Sequence, residues 1–374
     1  MTQLYIRPIA LAQSPQSEEG EAVRLAGGMV FASRFALIVR EGGRVVERRR
    51  FGAGAFEAAL AGLAPALETE ARSQWAALAR RHEPLTLATR HGEARTIRLD
   101  QPAVMGILNV TPDSFSDGGR FEAPEAALAQ AHAMLAAGAA LVDVGGESTR
   151  PGAAAVWEGD EAKRVVPVIA ALAASGAAVS IDSRRASVIE AALGAGAQVV
   201  NDVSGLRHDP GSLPLVAASG APVVLMHAPG DGSDLHAGGS YGDVVLDVFD
   251  WLRERRDTAL AAGIAREKIL LDPGIGFGKS LAENLALVNA LPLFHALGQP
   301  LVLGASRKRM IGALSNEARA DERLGGSLAL AMKGFAAGVQ LVRVHDVAET
   351  VQALHVWRGL ADAALTDFAQ LPSG

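Results

Sequence analysis

The chain has 374 residues, a formal net charge of −6 and no cysteine. That length accommodates one large domain with a smaller companion, and the acidic balance argues against a general nucleic-acid binder. Without thiols there is no disulfide framework, no cysteine nucleophile and no cysteine-ligated zinc or iron–sulfur centre.

Residues 1–97 read as a small α+β extension. Residues 35–41 and 44–51 flank Gly42-Gly43 as a β-hairpin, and helical spacing follows from Phe56 to about His82, interrupted at Pro65. The run Glu47-Arg48-Arg49-Arg50 reads as a solvated strand end, and the extension as a packing or oligomer-forming unit. Its boundary falls between His91 and Gln101. Arg7 and Pro8 interrupt the only apolar stretch near the N-terminus, where no basic region leads, so no secretory signal is expected.

From residue 98 to 374 the rhythm changes. Apolar runs occur at 104–109, 140–144, 178–181, 198–200, 222–226, 269–271, 301–303 and 340–344. Between them lie Ala/Leu-rich segments with helical spacing, at 123–137, 161–174, 186–195, 243–262 and 323–337. Strand alternating with helix eight times predicts a (β/α)8 TIM barrel, in the α/β class. The Ala-rich stretches 126–142 and 165–181 contain His132, Gly138, Pro167 and Gly176, so each reads as helix plus strand and no membrane span is expected. A cytoplasmic location is expected.

In such a barrel the strand ends converge on one mouth, where the chemistry sits. Most of these runs end in polar residues. Asp182, Asn201, Asp272 and Lys308 would there surround one ligand, and their mixture of donors and acceptors suits a flat heterocycle. Taken singly, each reads more readily as a helix cap or turn residue, and the four together favour the shared site. Arg343 and His345, two apart on a strand, share a side; with Lys308, and with Arg150, Arg307 and Arg309 at other strand ends, they suit a phosphate or diphosphate. His345 alone reads equally as a buried core histidine. Asn109 could orient a magnesium ion that leans on phosphate oxygens and water. His227 has no ligand spacing around it and reads as lining.

The segment Asp272-Pro-Gly-Ile-Gly-Phe-Gly-Lys-Ser is neither kind of nucleotide loop. A P-loop would need glycine where Pro273 stands, and the dinucleotide fingerprint would need glycine at Lys279. Its glycines are expected to let the backbone approach a planar ligand beside Phe277, which reads almost equally as core filling. Loops 111–119 and 145–153, rich in Gly, Pro and small polar residues, read as lids.

Seven motifs in order carry a resemblance: Asn-Val-Thr-Pro-Asp-Ser-Phe-Ser-Asp-Gly-Gly (109–119), Gly-Gly-Glu-Ser-Thr-Arg-Pro-Gly (145–152), Ile-Asp-Ser (181–183), Asn-Asp-Val-Ser-Gly (201–205), Asp-Pro-Gly-Ile-Gly-Phe-Gly-Lys (272–279), Ser-Arg-Lys (306–308) and Arg-Val-His-Asp-Val (343–347). From Val104 onward the chain resembles the dihydropteroate synthases of the pterin-binding barrel superfamily. The resemblance implies condensation of 6-hydroxymethyl-7,8-dihydropterin diphosphate with p-aminobenzoate, giving 7,8-dihydropteroate and diphosphate in folate synthesis. It implies that Asp182, Asn201, Met226, Asp272 and Lys308 hold the pterin, with Asp182, Asp272 and Lys308 catalytic. Asn109, Arg150, Arg343 and His345 would hold the diphosphate, with Mg2+ beside Asn109. Phe115, Thr149, Pro151, Phe277 and Ser306 would shape the p-aminobenzoate pocket. A homodimer with no nucleic-acid or membrane partner is also implied.

The chain departs from the family pattern at Ala228-Pro229-Gly230, the Gly-rich loop 231–240, Glu283, Arg309 and the extension. A pterin-dependent methyltransferase would have little use for the diphosphate cluster and two lids. A non-catalytic pterin-binding scaffold could lose the cluster freely.

Overall fold

The computed structural model describes residues 2–12, 21–89, 92, 94–111, 123–149, 152, 156–230 and 234–365. Residues before position 98 form two separate structures. In the first, β1 (Thr2–Ala12), β2 (Val23–Arg24), β3 (Phe31–Glu41) and β4 (Arg44–Gly52) make an antiparallel sheet around β3. Gly42 and Gly43, both at positive φ, close the β3–β4 hairpin in the two-residue turn that the glycine pair predicts. Pro65 starts a helix instead of merely breaking one. After the short α1 (Phe56–Ala59) it takes the first turn of α2 (Pro65–Ala79), where its missing N–H would have had no partner. Phe35, Phe51, Phe56 and Trp75 pack together, with Phe56 and Trp75 stacked at 4.3 Å.

The second structure is the hairpin β5 (Leu85–Ala88) and β6 (Ala94–Ile97). Its Leu85, Leu87 and Ile97 sit in one apolar cluster with residues at the beginnings of the barrel strands, so it seals the barrel floor.

The barrel strands are β7 (Ala103–Asn109), β8 (Leu141–Gly145), β9 (Val179–Asp182), β10 (Val199–Asp202), β11 (Val223–Met226), β12 (Ile269–Asp272), β13 (Val302–Leu303) and β14 (Leu341–Val344). All pairings are parallel, in the order β12-β11-β10-β9-β8-β7-β14-β13, and a Leu271–Leu301 bridge closes the ring. Covered on both faces, the strands read as nearly continuous apolar runs. Around them lie α3 (Ala123–Ala136), α4 (Glu158–Ala174), α5 (Ala186–Ala195), α6 (Ser212–Ser219), α7 (Val244–Ala261), α8 (Leu281–Asn289), α9 (Arg309–Leu314), α10 (Leu324–Ala336) and α11 (Val347–Leu365). Among the described residues no helix is long and apolar enough to cross a membrane.

The extension packs on the barrel through β1 and α2 against residues 291–297, and is tied by polar contacts to α7. Tyr5 and Gln3 each donate to Asp250 at 2.7 Å, Tyr5 packs edge-on against Phe249, and the buried Arg40 pairs with Asp247 at 2.5 Å. Asp247 also accepts from the backbone N–H of Gly242 at 2.8 Å, just ahead of the helix. The extension thus clasps the point where the loop after β11 becomes α7.

Candidate active site

Alternation along the barrel strands places every second side chain inside. Above the floor layer that contains Leu141, Val199, Leu270 and Leu341, the next inward positions two residues on are Asp143, Asn201, Asp272 and Arg343. One step further come Asn109, Asp182, Ser306 and His345, at the rim. The result is a polar layer resting on a sealed apolar one.

Arg343 organises this layer. Its Nε donates to Asp143 Oδ2 and one Nη2 proton goes to Asp182 Oδ2, both at 2.6 Å. Asn201 Nδ2 donates to the same Asp143 oxygen at 2.9 Å. Asp143 is fully buried and its other oxygen, Oδ1, has no hydrogen-bond partner. Burial works against the Arg343 charge, but Asp143 and Asp182 outweigh it and raise its pKa. Burial pushes Asp182 up to about 7; Arg343 opposes that rise and Asp143 adds to it. Asp272 is also raised by burial, against a 2.7 Å hydrogen bond from the Gly274 N–H and the pull of Lys308. Lys308, just ahead of α9, is lowered to about 8 by burial and by Arg343, with Asp272 and Asp182 opposing. Its Nζ lies 4.0 Å from the Phe277 ring centroid.

Above these groups opens a cavity of about 1230 Å³. Asn109, Thr149, Asp182, Ser306, Lys308, Arg343 and His345 reach its wall, bringing together residues separated by more than two hundred positions. Asn201, Met226, Asp272 and Phe277 stand behind that wall, each at most 5 % exposed. Met226 and Phe277 share a small apolar cluster with Val203, Ala228 and Leu235. Phe115, Arg150 and Pro151 lie outside the described residues, as do positions 112–119 of the first expected lid and 150, 151 and 153 of the second.

One expectation is corrected. His227 does not line the mouth: it is buried, its ring packs edge-on against Trp251 at 4.9 Å, and burial lowers its pKa to about 2. The glycines after Asp272 also make room for protein, while Gly276 and Gly278 reach the cavity wall. A Cβ on Gly274 (φ +70°) would lie 1.9 Å from the His227 carbonyl oxygen, and one on Gly276 (φ +85°) 3.0 Å from the Lys308 side chain.

Sequence reasoning missed several supporting residues. Asp143 is a carboxylate in the middle of an apolar run, and that oddity was its signal. Lys279 donates to the carbonyls of Gly274 (2.7 Å) and Phe277 (3.0 Å), which holds the loop after β12 in shape. Asn284 accepts from Gly276 N–H at 2.6 Å. The atypical Glu283 completes a capping box with Ser280, readable as Ser-x-x-Glu ahead of an apolar run. Arg307, at a left-handed φ of +56°, is tied by its side chain to Asp346, and its backbone N–H donates to Ser327 Oγ at 2.9 Å. It therefore presents Lys308 and is itself engaged. Ser306 Oγ is 3.1 Å from His345 Nδ1.

Known proteins of similar sequence share this arrangement of strands. A family model described as pterin binding enzyme matches residues 105–345. The dihydropteroate synthase of Escherichia coli (strain K12) is 45% identical over 265 residues, which is 71% of this chain and 93% of the relative. That of Neisseria meningitidis serogroup B is 46% identical over 270 residues, 71% of this chain and 94% of the relative. A solved Xanthomonas albilineans dihydropteroate synthase with 4-aminobenzoic acid superposes with a TM-score of 0.69 at 46% identity, covering 74% of this chain and 98% of its own. Another structure of that enzyme, in complex with 7,8-dihydropteroate, gives 0.67 at 44% identity over 74% and 98%. With a barrel of the same fold and this extent of identity, the chain belongs to the pterin-binding enzymes and, among them, to the dihydropteroate synthases.

Proposed function

We propose that this mouth condenses 6-hydroxymethyl-7,8-dihydropterin diphosphate with p-aminobenzoate, giving 7,8-dihydropteroate and diphosphate. The observation that carries the reading is the convergence of one carboxylate, Asp182, and two cations, Lys308 and Arg343, on one cavity, with a second carboxylate, Asp272, directly behind its wall and acting on Lys308. Asp182, Asn201, Met226, Asp272 and Lys308 would take the pterin. Arg343, His345, Asn109 and Arg150 would take the diphosphate. Arg343 spends two N–H donors on Asp143 and Asp182, and a guanidinium has five. Thr149, Ser306, Phe277, Phe115 and Pro151 would bound the arylamine.

In this reading the bond between the exocyclic carbon and the diphosphate oxygen breaks first, and the electron pair leaves with the diphosphate. The pterin cation that remains is stabilised by the carboxylates of Asp182 and Asp272. Such charge, arranged beforehand in a site shielded from water, is usually the largest single catalytic term. The neutral arylamine then forms the new C–N bond and releases a proton. Mg2+ would neutralise diphosphate charge beside Asn109. The donor set fits an ion carried by diphosphate oxygens and water: Asn109 offers one amide oxygen at the cavity, and no group of three His, Asp or Glu side chains forms a cage among the described residues. A cytoplasmic homodimer belongs to the same proposal.

The test is to incubate the purified protein with the dihydropterin diphosphate, p-aminobenzoate and magnesium. Dihydropteroate and diphosphate should appear in equal amounts. Tight pterin binding with no product would favour the non-catalytic scaffold.

A further inference from the structure

The loop after β11 departs from the family pattern, yet it is docked firmly at the mouth. Leu235 is buried beside Met226 and Phe277, and Gly239 N–H donates to the Gly278 carbonyl at 3.2 Å. A Cβ on Gly278 would lie 2.6 Å from the Ala237 carbonyl oxygen, so the two loops are in direct backbone contact. Half-buried His236 stands between them on the cavity wall. Its imidazole stacks on Phe277, with centroids 5.2 Å apart and planes at 12°. Its Nε2 lies 2.6 Å from the carbonyl oxygen of Thr149. A carbonyl only accepts, so Nε2 carries a proton whether the ring is neutral or charged. One side chain therefore joins three loops, those after β8, β11 and β12.

We infer that His236 is a positioning residue for the arylamine, fixing the Phe277 ring and the Thr149 segment as two walls of its pocket. The inference rests on the proposed condensation and deepens it. The pterin groups Asp182, Asn201 and Asp272 have no hydrogen bond to His236, and their own partners are Arg343, Asp143 and Gly274. Of the pterin groups only Lys308 and Met226 meet Phe277, so the effect of His236 should fall chiefly on the arylamine. The bland alternative, a histidine that merely fills the core, does not account for a half-buried ring on the cavity wall bonded to a loop 87 positions away.

The test is steady-state kinetics on the full-length enzyme with His236→Ala, His236→Gln and His236→Phe. The alanine variant should raise KM for p-aminobenzoate by about tenfold, the size expected from losing one aromatic stack and one hydrogen bond. Its kcat and its KM for the dihydropterin diphosphate should stay within about twofold of the wild type. Phenylalanine keeps the stack and glutamine keeps a donor toward Thr149, so each should recover part of the loss. An unchanged KM for p-aminobenzoate overturns the inference. A lowered one also overturns it, because His236 would then be occupying the place of the aryl ring. A parallel rise for both substrates, or a fall in kcat alone, overturns it in favour of a general structural role. An inactive wild type sinks the proposed condensation and this inference together, whereas an active wild type with a flat response sinks this inference alone.

Discussion

The two ends of the barrel are built by the same strands, two residues apart. On β8 Leu141 faces the floor and Asp143 the polar layer; on β14 Leu341 and Arg343 repeat the pattern, and on β12 Leu270 and Asp272. The floor is closed by the hairpin β5–β6, and the mouth opens on the cavity. The comparison shows how a buried charge is made useful. The apolar layer keeps water from reaching the carboxylates from below, so Arg343, Asp143 and Asp182 interact at low local dielectric and can respond only to what enters from above. In this arrangement the floor supplies folding free energy, and the mouth holds groups whose burial opposes folding unless each is paired.

The largest effect should come from removing the cation at the centre. Arg343→Ala leaves Asp143, fully buried, and Asp182 beside each other without the guanidinium that pairs with both. Breaking a buried pair in this way costs about 3–5 kcal/mol of stability. Losing a charge aimed at the leaving group costs kcat/KM a further factor of about 10²–10³. Denaturant unfolding and turnover, measured on the same preparation, check both. A variant that keeps more than about a tenth of wild-type kcat/KM would remove Arg343 from the reaction.

A smaller effect, confined to folding, should come from the other end. Leu270 is fully buried in the floor layer, and Leu270→Ala should cost about 2–5 kcal/mol of stability through lost burial and a cavity. For the protein that remains folded, kcat/KM should stay within about twofold. If catalysis fell in step with stability, the two layers would not be separable and the contrast between them would fail.

The same layering explains which parts were legible in the sequence. The eight strands were, because each is a short apolar run between helical segments. Six of the candidate site residues reach the cavity because they stand at or past strand ends, where the sequence places them, and Arg343 reaches it from within β14, marked by its charge. Asp143 was not legible by that logic, since the polar layer starts one inward position below the strand ends and a mid-strand carboxylate looks like part of an apolar run. Phe277 was ambiguous between wall and core for a physical reason: with Lys308 and His236 on its ring it is 5 % exposed and is in part both. His236 carries no local signal at all, because its partners Phe277 and Thr149 come from other loops. The clasp of Arg40 and Tyr5 on α7 was hidden for the same reason: a pairing between distant segments leaves no periodicity in either.

The smallest expected effect is a pH dependence that only the mouth should show. Burial raises Asp182 to about 7 and lowers Lys308 to about 8, so the two titrate close together from opposite sides. A carboxylate that steadies the pterin cation must be ionised, which fails as the pH falls below about 7; an ammonium that grips the pterin must be protonated, which fails as it rises above about 8. The kcat/KM for the dihydropterin diphosphate should therefore peak between these values and fall toward tenfold per unit on each side. Lys308→Arg replaces the ammonium by a guanidinium that stays charged across this range, so the alkaline limb should vanish while the acid limb remains. Leu270→Ala, which changes only the floor, should keep the wild-type profile. A wild-type curve that is flat from about pH 6 to 9 would mean that neither Asp182 nor Lys308 changes charge in the step that kcat/KM reports, and the electrostatic difference between the two ends of the barrel would then have no kinetic expression.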